Sequence, residues 1–492
     1  MSASALTGAV ATEQCRPWPR HVLAPAGWAA LAGPRPALAL LALWADTVQV
    51  HALWLDEAAG TVLPVSIAVE AGQYPALSPA WPVAAWFERL VHDLWGHAAV
   101  GGSDQRTWLD HGRWPHAQPL STRPGPPSNA ELPAFAELPG DGLMQVPLGP
   151  LHGLVDEAAH LRLTTRGATI LRAEARLGYT HKGTLTLMRG KSPRAAARFA
   201  ARLAGDATVA HALAFARATE AALDVAAPPR AAALRAVMTE LERMAVHFGD
   251  LAELADAAGL AGLHAACGER REGVVRAANA AFGHRLMMDC VVPGGVAGDI
   301  AAGGVRVLRD MLDGVADALP ALHRRHDIML ARLEGVGLVN RSQAVALAAG
   351  GVAGRAAGRR FDVRQLDPVY RDLPLASPTE RCGDAAARVR VRLAELAASA
   401  GLARAVLAAL PEGPLSAALP AASGEGIGCA ESPRGDIWHW LRLDHGQIAA
   451  VFPRDPGWAL WPLAEAALTG RSVEEVDIIR RSFSLPASAL DL

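Results

Sequence analysis

Leu177–Phe248 decides the reading of this chain. It runs LGYTHKGTLTLM (Leu177–Met188), then ARFAARLAGDATVAHALAFARATEAAL (Ala197–Leu223), then PPRAAALRAVMTELERMAVHF (Pro228–Phe248). A loop bounded by Gly178 and Gly183 holds His181, and helical segments follow it. Pro228-Pro229 suits a first helical turn, where proline gives up no hydrogen bond. Leu234, Val237, Leu241, Met244, Phe248 and Leu251 then step by threes and fours, an apolar stripe of about five turns. His247 falls at the edge of that stripe, with Glu240, Glu242 and Arg243 before it. His211 and His247 read as core histidines, each with one satisfied hydrogen bond.

Upstream, Leu161–Thr165 and Thr169–Ala175 read as strands around an Arg166-Gly167 turn. Residues 121–140 carry five prolines and little periodicity, which predicts an extended inter-domain linker. Ahead of it, Thr47–Leu55 and Thr61–Glu70 read as paired strands, since Leu63, Val65, Ile67 and Val69 alternate strictly. Trp81–His97 reads as an amphipathic helix, and the Ala/Leu-rich residues 1–46 are also predicted helical. Downstream come a helix ending at Pro293-Gly294-Gly295, a glycine- and arginine-rich loop at Gly354–Tyr370, a helix over Gly383–Leu396 and a β-hairpin over Glu431–Gly446. The fold class expected is α+β. A small N-terminal α/β domain (1–120) and the linker (121–140) precede a large, mostly helical domain (141–492) with a small β region at its start.

The 492 residues are 51% hydrophobic and 20% charged, which supports packed cores and excludes wholesale disorder. A formal net charge of −2 leaves no basic footprint for nucleic acid. The longest apolar run, Ala37–Ala45, is about half of what a membrane-spanning helix needs. Cys15, Cys267, Cys290, Cys382 and Cys429 have no zinc or iron–sulfur spacing and fit a reducing compartment. GRAAGRR at Gly354–Arg360 lacks the Gly-Lys-Ser/Thr ending of a phosphate loop.

In their order these blocks resemble the large subunits shared by nickel–iron hydrogenases and the D-type (49 kDa-type) subunit of complex I. Residues 47–120, through Trp81–His97, Arg106 and His111–Leu120, resemble the C-type (30 kDa-type) subunit. The fused order occurs in formate-hydrogenlyase-type hydrogenases. In that family Arg202–Ala207 (Arg-Leu-Ala-Gly-Asp-Ala) would read Arg-x-Cys-Gly-x-Cys. The first pair of metal-binding thiolates therefore maps to Ala204 and Ala207, and the second to Pro486 and Ala489. The resemblance implies an inherited fold without a nickel–iron centre.

The D-type subunit places a quinone headgroup in the vacated cavity. Its histidine maps to His181, its tyrosine to Gly205 and the neighbouring acidic residue to Ala204; Tyr179 stands two residues before the histidine. Arg355 with Asp362 and Arg364, Arg434 in Glu-x-Pro-Arg-Gly at 431–435, and Arg285 match further family blocks. They are candidates for lining the cavity, with Asp362 and Asp436 as partners. No cofactor is expected on this chain itself. The resemblance implies a quinone-like acceptor, iron–sulfur clusters in a small B-type partner, and antiporter-like and H-type membrane subunits. It would place the chain peripherally on the cytoplasmic face of the membrane. Two functions follow. One is a subunit of an NADH:quinone-type or ferredoxin-linked oxidoreductase, not itself an active hydrogenase. The other is a non-redox adaptor in an ion-translocating complex related to energy-converting hydrogenases.

Overall fold

The computed structural model describes residues 9–33, 38–57, 59–128, 132–153 and 157–492. An α+β architecture results. The N-terminal sheet has five strands in the order Ala9–Glu13, Arg20–Leu23, Thr61–Ala68, Gln49–Asp56, Leu38–Ala45. The expected pair, Gln49–Asp56 with Thr61–Ala68, is antiparallel in continuous register. The helix Ala84–Trp95 ends at Gly96 in the left-handed conformation, the usual glycine helix stop.

The helical expectation for residues 1–46 is corrected. Residues 1–8 and 34–37 lie outside the described residues; elsewhere only Pro25–Leu31 is helical, and Leu38–Ala45 is a strand with every residue buried. Trp44 of that strand stacks on Phe452 at 5.6 Å, and Leu41 O accepts from Arg454 Nε at 3.2 Å. A strand covered on both faces shows an unbroken apolar run, which periodicity alone does not separate from a buried helix.

The N-terminal and C-terminal portions interlock. Cys15–Arg16 pairs in parallel with Glu425–Gly426, joining the four-stranded sheet of the C-terminal half. Fully buried Arg20 donates to both oxygens of Glu425, at 2.6 and 2.9 Å. Among the described residues of 121–140 there is no helix or strand. The segment is nonetheless held down: Ala134 O accepts from Arg106 at 3.1 Å, and Ala136 N donates to Glu174 at 2.9 Å. The Arg176 guanidinium lies 3.9 Å from the centre of the Phe135 ring. That anchor is the three-stranded sheet Leu143–Leu148, His160–Arg166, Thr169–Arg176, which contains the expected hairpin.

Four long helices, Pro229–Ala257, Ala261–Phe282, Gly304–Leu333 and Ala385–Ala408, pack side by side. All six residues of the predicted stripe are fully buried. Pro229–Ala257 is enclosed on its other sides too, since Arg235, Glu240, Glu242, Arg243 and His247 are also buried. The helix Thr208–Leu223 lies across the strand Gly424–Ser432. That approach requires glycine at 424, 426 and 428: a Cβ at these positions would sit 2.1–2.3 Å from the carbonyls of Ala222, Ala218 and Ala214.

Candidate functional site

Arg202–Ala207 forms the turn that leads into the helix Thr208–Leu223. No side chain of its own caps that helix. Instead, Glu242 of the neighbouring helix accepts from Val209 N at 2.6 Å and Ala210 N at 3.1 Å, filling two of the unpaired first-turn donors. Burial pushes the Glu242 carboxyl up to about 8. Behind this turn lies the segment 484–492, with Ser488 Oγ donating to Leu203 O at 3.2 Å.

The two mapped pairs, Ala204/Ala207 and Pro486/Ala489, thus belong to adjoining, buried stretches of chain. Methyl groups and a pyrrolidine ring are not metal ligands, so these residues do not fit a nickel–iron centre, which needs thiolates. The five cysteines do not replace them. Among the described residues no group of three or more His, Cys, Asp or Glu side chains is placed to hold a metal ion.

His181 stands at the other side of the same segment. Asp491 organises the loop around it, accepting from Gly178 N at 2.6 Å, Thr180 N at 2.8 Å and Thr180 Oγ1 at 2.7 Å. His181 Nδ1 bonds the Asp491 carbonyl at 2.5 Å, and its ring packs on Trp114 with centroids 4.7 Å apart. Lys182 Nζ donates to Ser488 O at 2.5 Å, and Thr184 N to Leu492 O at 2.8 Å. On the far side Glu157 accepts from the Ala487 and Ser488 amides. Burial lowers the pKa of His181 and of Lys182 and raises that of Asp491. Since the neutral ring must carry its proton on Nδ1 to donate to a carbonyl, Nε2 presents a lone pair. Tyr179 instead packs edge-on against His111, with centroids 4.9 Å apart. Replacing Asp491 with alanine removes three bonds to the loop and is expected to cost roughly 1–3 kcal/mol. Faster amide exchange confined to residues 178–184 is the measurement that checks it.

Of the six candidate residues, Gly205 and Arg434 share the Arg202–Ala207 turn through Asp206, and His181 and Arg434 both bond the 484–492 segment. Gly205 is exposed, and a Cβ on it would meet nothing within 4 Å. Arg434 pairs with Asp206, and its Nε donates to Ser484 O. Asp436, expected as a partner, is taken by Arg454 at 3.0 Å instead.

Arg355 and Arg364 do not line this surface. They are buried in a charge cluster. Arg355 bonds Glu395 at 2.7 Å and Glu431 at 2.8 Å, and Arg364 bonds Asp362 at 2.7 Å and Glu240 at 3.0 Å. Arg285 is removed from both groups: nearly half exposed, it pairs with Glu272 at 2.6 Å on the surface. His247 keeps the single bond expected of it, to Glu395 at 2.8 Å. His211 makes two, to His439 and Asp455, each at 3.0 Å. Sequence reasoning passed over Asp491 and Glu395. Only their carboxylates would have pointed to them, because their partners lie far away along the chain.

Three family models match this chain. The family described as "Respiratory-chain NADH dehydrogenase, 49 Kd subunit" matches residues 258–422, and "Nickel-dependent hydrogenase" matches 182–256. "Respiratory-chain NADH dehydrogenase, 30 Kd subunit" matches 45–124. Formate hydrogenlyase subunit 5 of Escherichia coli (strain K12) is 28% identical over 87% of this chain and 79% of its own length. The D-type subunit of the NADH-quinone oxidoreductase of Carboxydothermus hydrogenoformans is 30% identical over 62% of this chain and 82% of its own. A chain in the structure of the membrane-bound sulfane sulfur reductase, an archaeal respiratory membrane complex, shares the fold. Its TM-score is 0.68 at 24% identity, covering 72% of this chain and all of that one. Among the described residues no helix is long and apolar enough to cross a membrane.

Proposed function

Because the chain belongs to the family of nickel–iron hydrogenase large subunits and complex I D-type subunits, joined to a C-type domain, we propose that it is a peripheral subunit of a membrane-associated, complex I-like oxidoreductase. In this reading it has no metal centre of its own. It shapes an acceptor cavity against an iron–sulfur small subunit, and membrane subunits of the antiporter-like and H-type classes anchor the assembly at the cytoplasmic face.

One observation carries the reading: the metal-binding positions have become Ala204, Ala207, Pro486 and Ala489, while the loop presenting His181 is held in place by five hydrogen bonds to Asp491 and Leu492. With Nδ1–H committed to the Asp491 carbonyl, neutral His181 offers Nε2 as an acceptor. That arrangement suits the hydroxyl of a reduced, quinol-like ligand. With the two electrons passing to the iron–sulfur partner and the second hydroxyl's proton to water, that hydroxyl's proton would pass to Nε2, and the ring would become a donor for the oxidised carbonyl form. Exposed Gly205, flanked by the Arg202–Asp289 pair at 2.7 Å, leaves the surface beside the site open to a docked subunit. The adaptor reading is favoured by one feature of its own: Gly205 and Ala204 supply no second headgroup donor.

Purification from native membranes in mild detergent, with partner identification and iron and nickel assays, tests the proposal. The expected result is iron without nickel, with an iron–sulfur small subunit and membrane subunits. Nickel bound to this chain, or a chain with no partners, overturns it. Partners without iron favour the adaptor. In an iron-bearing complex, His181→Phe is expected to lower kcat/KM for quinone turnover about a hundredfold, as loss of a proton-exchanging group does, with stability little changed.

A further inference from the structure

Behind the Glu431–Gly435 turn that carries Arg434, four carboxylates and three guanidiniums are packed together out of water. Glu240, Asp362, Glu395 and Glu431 face Arg243, Arg355 and Arg364, and every one of the seven is at most 3% exposed. The connections are dense. Arg364 joins Asp362 to Glu240, Arg355 joins Glu395 to Glu431, and Arg243 lies 3.3 Å from Glu240 and 3.7 Å from Glu395. Arg355 Nη1 serves two carboxylates at once, Glu431 at 2.8 Å and Asp362 at 3.5 Å.

The other arginines nearby are bonded elsewhere. Arg392 is paired with Asp250, Arg454 with Asp436 and Arg217 with Asp367. Arg388 turns to the carbonyls of Gly337 and Gly383 and to Ser482. Tyr370 and Ser399 give hydroxyl bonds to Glu240, and Ser377 gives one to Asp362. His247 touches Glu395, and burial holds its ring toward the neutral form. The cluster is therefore one negative charge in excess, and an uncompensated buried charge is expensive.

We propose that this cluster is a proton-binding site, holding one exchangeable proton on Glu431. Two carboxylates on one guanidinium nitrogen compete for its charge, as in any closely spaced acid pair. Arg364 and Arg355, working against burial, hold Asp362 well below the carboxylate range. Glu395 is likewise held low by Arg355 and His247, and Glu240 is lowered by Arg364 and Arg243. Glu431 is left as the weakest acid: burial, then the nearby Asp362 charge, push it up to about 7. Proton uptake from water converts the Glu431 carboxylate to a carboxylic acid and neutralises the cluster. Its position on the strand end that leads to Arg434 ties this titratable group to the turn at which Arg434 meets Asp206.

The test is infrared difference spectroscopy of the full chain in its complex, titrated through neutral pH. A carboxylic-acid carbonyl component with a midpoint near 7, distinct from that of Glu242, should grow in on acidification. Glu431→Gln, which keeps an acceptor for Arg355 and Val363, should abolish it. Asp362→Asn removes the excess charge and should move the midpoint toward the ordinary glutamate value. The sign for stability follows. A folded pKa raised above the unfolded one makes the folding equilibrium constant fall about tenfold per pH unit between the two values, and Glu431→Gln flattens that slope. Absence of the band in the wild-type protein, or its survival in Glu431→Gln, overturns the proposal. If Glu431→Gln does not fold, an unshifted midpoint in Asp362→Asn overturns it equally.

Discussion

Glu240→Ala is expected to cost about 3–5 kcal/mol of folding free energy, the penalty for leaving several buried guanidinium and hydroxyl donors without their acceptor. Its two oxygens receive Arg364 at 3.0 Å, Arg243 at 3.3 Å, the Tyr370 hydroxyl at 2.7 Å and the Ser399 hydroxyl at 2.6 Å. None of these donors can turn to water, because each residue is buried. Joint replacement of Glu240 and Arg364 by methionine should cost much less than the two single changes summed, since the charge and its counter-charge leave together. Denaturant melts of the four proteins read the difference directly. Additive losses, with the double variant costing as much as the two single changes summed, would show that the ion pair is not what holds the cluster.

Gly428→Ala is expected to be nearly as damaging. The added methyl would lie 2.3 Å from both Ala214 O and Ala218 N, so the helix Thr208–Leu223 must lift from its strand. Overpacking typically costs roughly 1–3 kcal/mol, and contact with rigid backbone places this case at or above the upper end. The change would also separate His211 from His439, which bridge helix and sheet at 3.0 Å. Thermal unfolding measures the loss, and the near-ultraviolet circular dichroism of Trp438 and Trp440 reports the sheet. Gly268→Ala is the control: a Cβ there meets nothing within 4 Å in the middle of the helix Ala261–Phe282. It should stabilise by roughly 0.5–1 kcal/mol.

Most of the fold was legible because its elements keep a clean period. The Thr61–Ala68 strand alternates and the Pro229–Ala257 stripe steps by threes and fours. The hairpin expected over Glu431–Gly446 holds one strand, Gly435–Asp444, whose partners Gly424–Ser432 and Gln447–Arg454 lie almost wholly outside those bounds. Leu38–Ala45 was not legible, since burial on both faces erases alternation. Nor was the burial of Glu240 and Arg243. A charged face ordinarily reads as solvated, and only the arrival of Arg364, Glu395 and Glu431 from distant segments makes an interior position tolerable. At the site, the His181 loop and the four lost thiolates could be read from the family pattern, and Arg434 came with them. Arg285 belonged to an equally good-looking block, yet its local partner Glu272 keeps it on the surface. No local signal separated the two arginines.

The closure of the His181 loop by residues 488–492 has a kinetic consequence. Its hydrogen bonds join positions 306 to 313 residues apart, so the entropy of closing a very long loop is charged to a small patch of contacts. High sequence separation delays formation of such contacts relative to local helices. The helices and hairpins can be in place while the His181 loop is still unclosed. Pairing of Asp491 with Gly178 and Thr180 is then a late event, and a nascent chain would expose the acceptor side unfinished until it occurs.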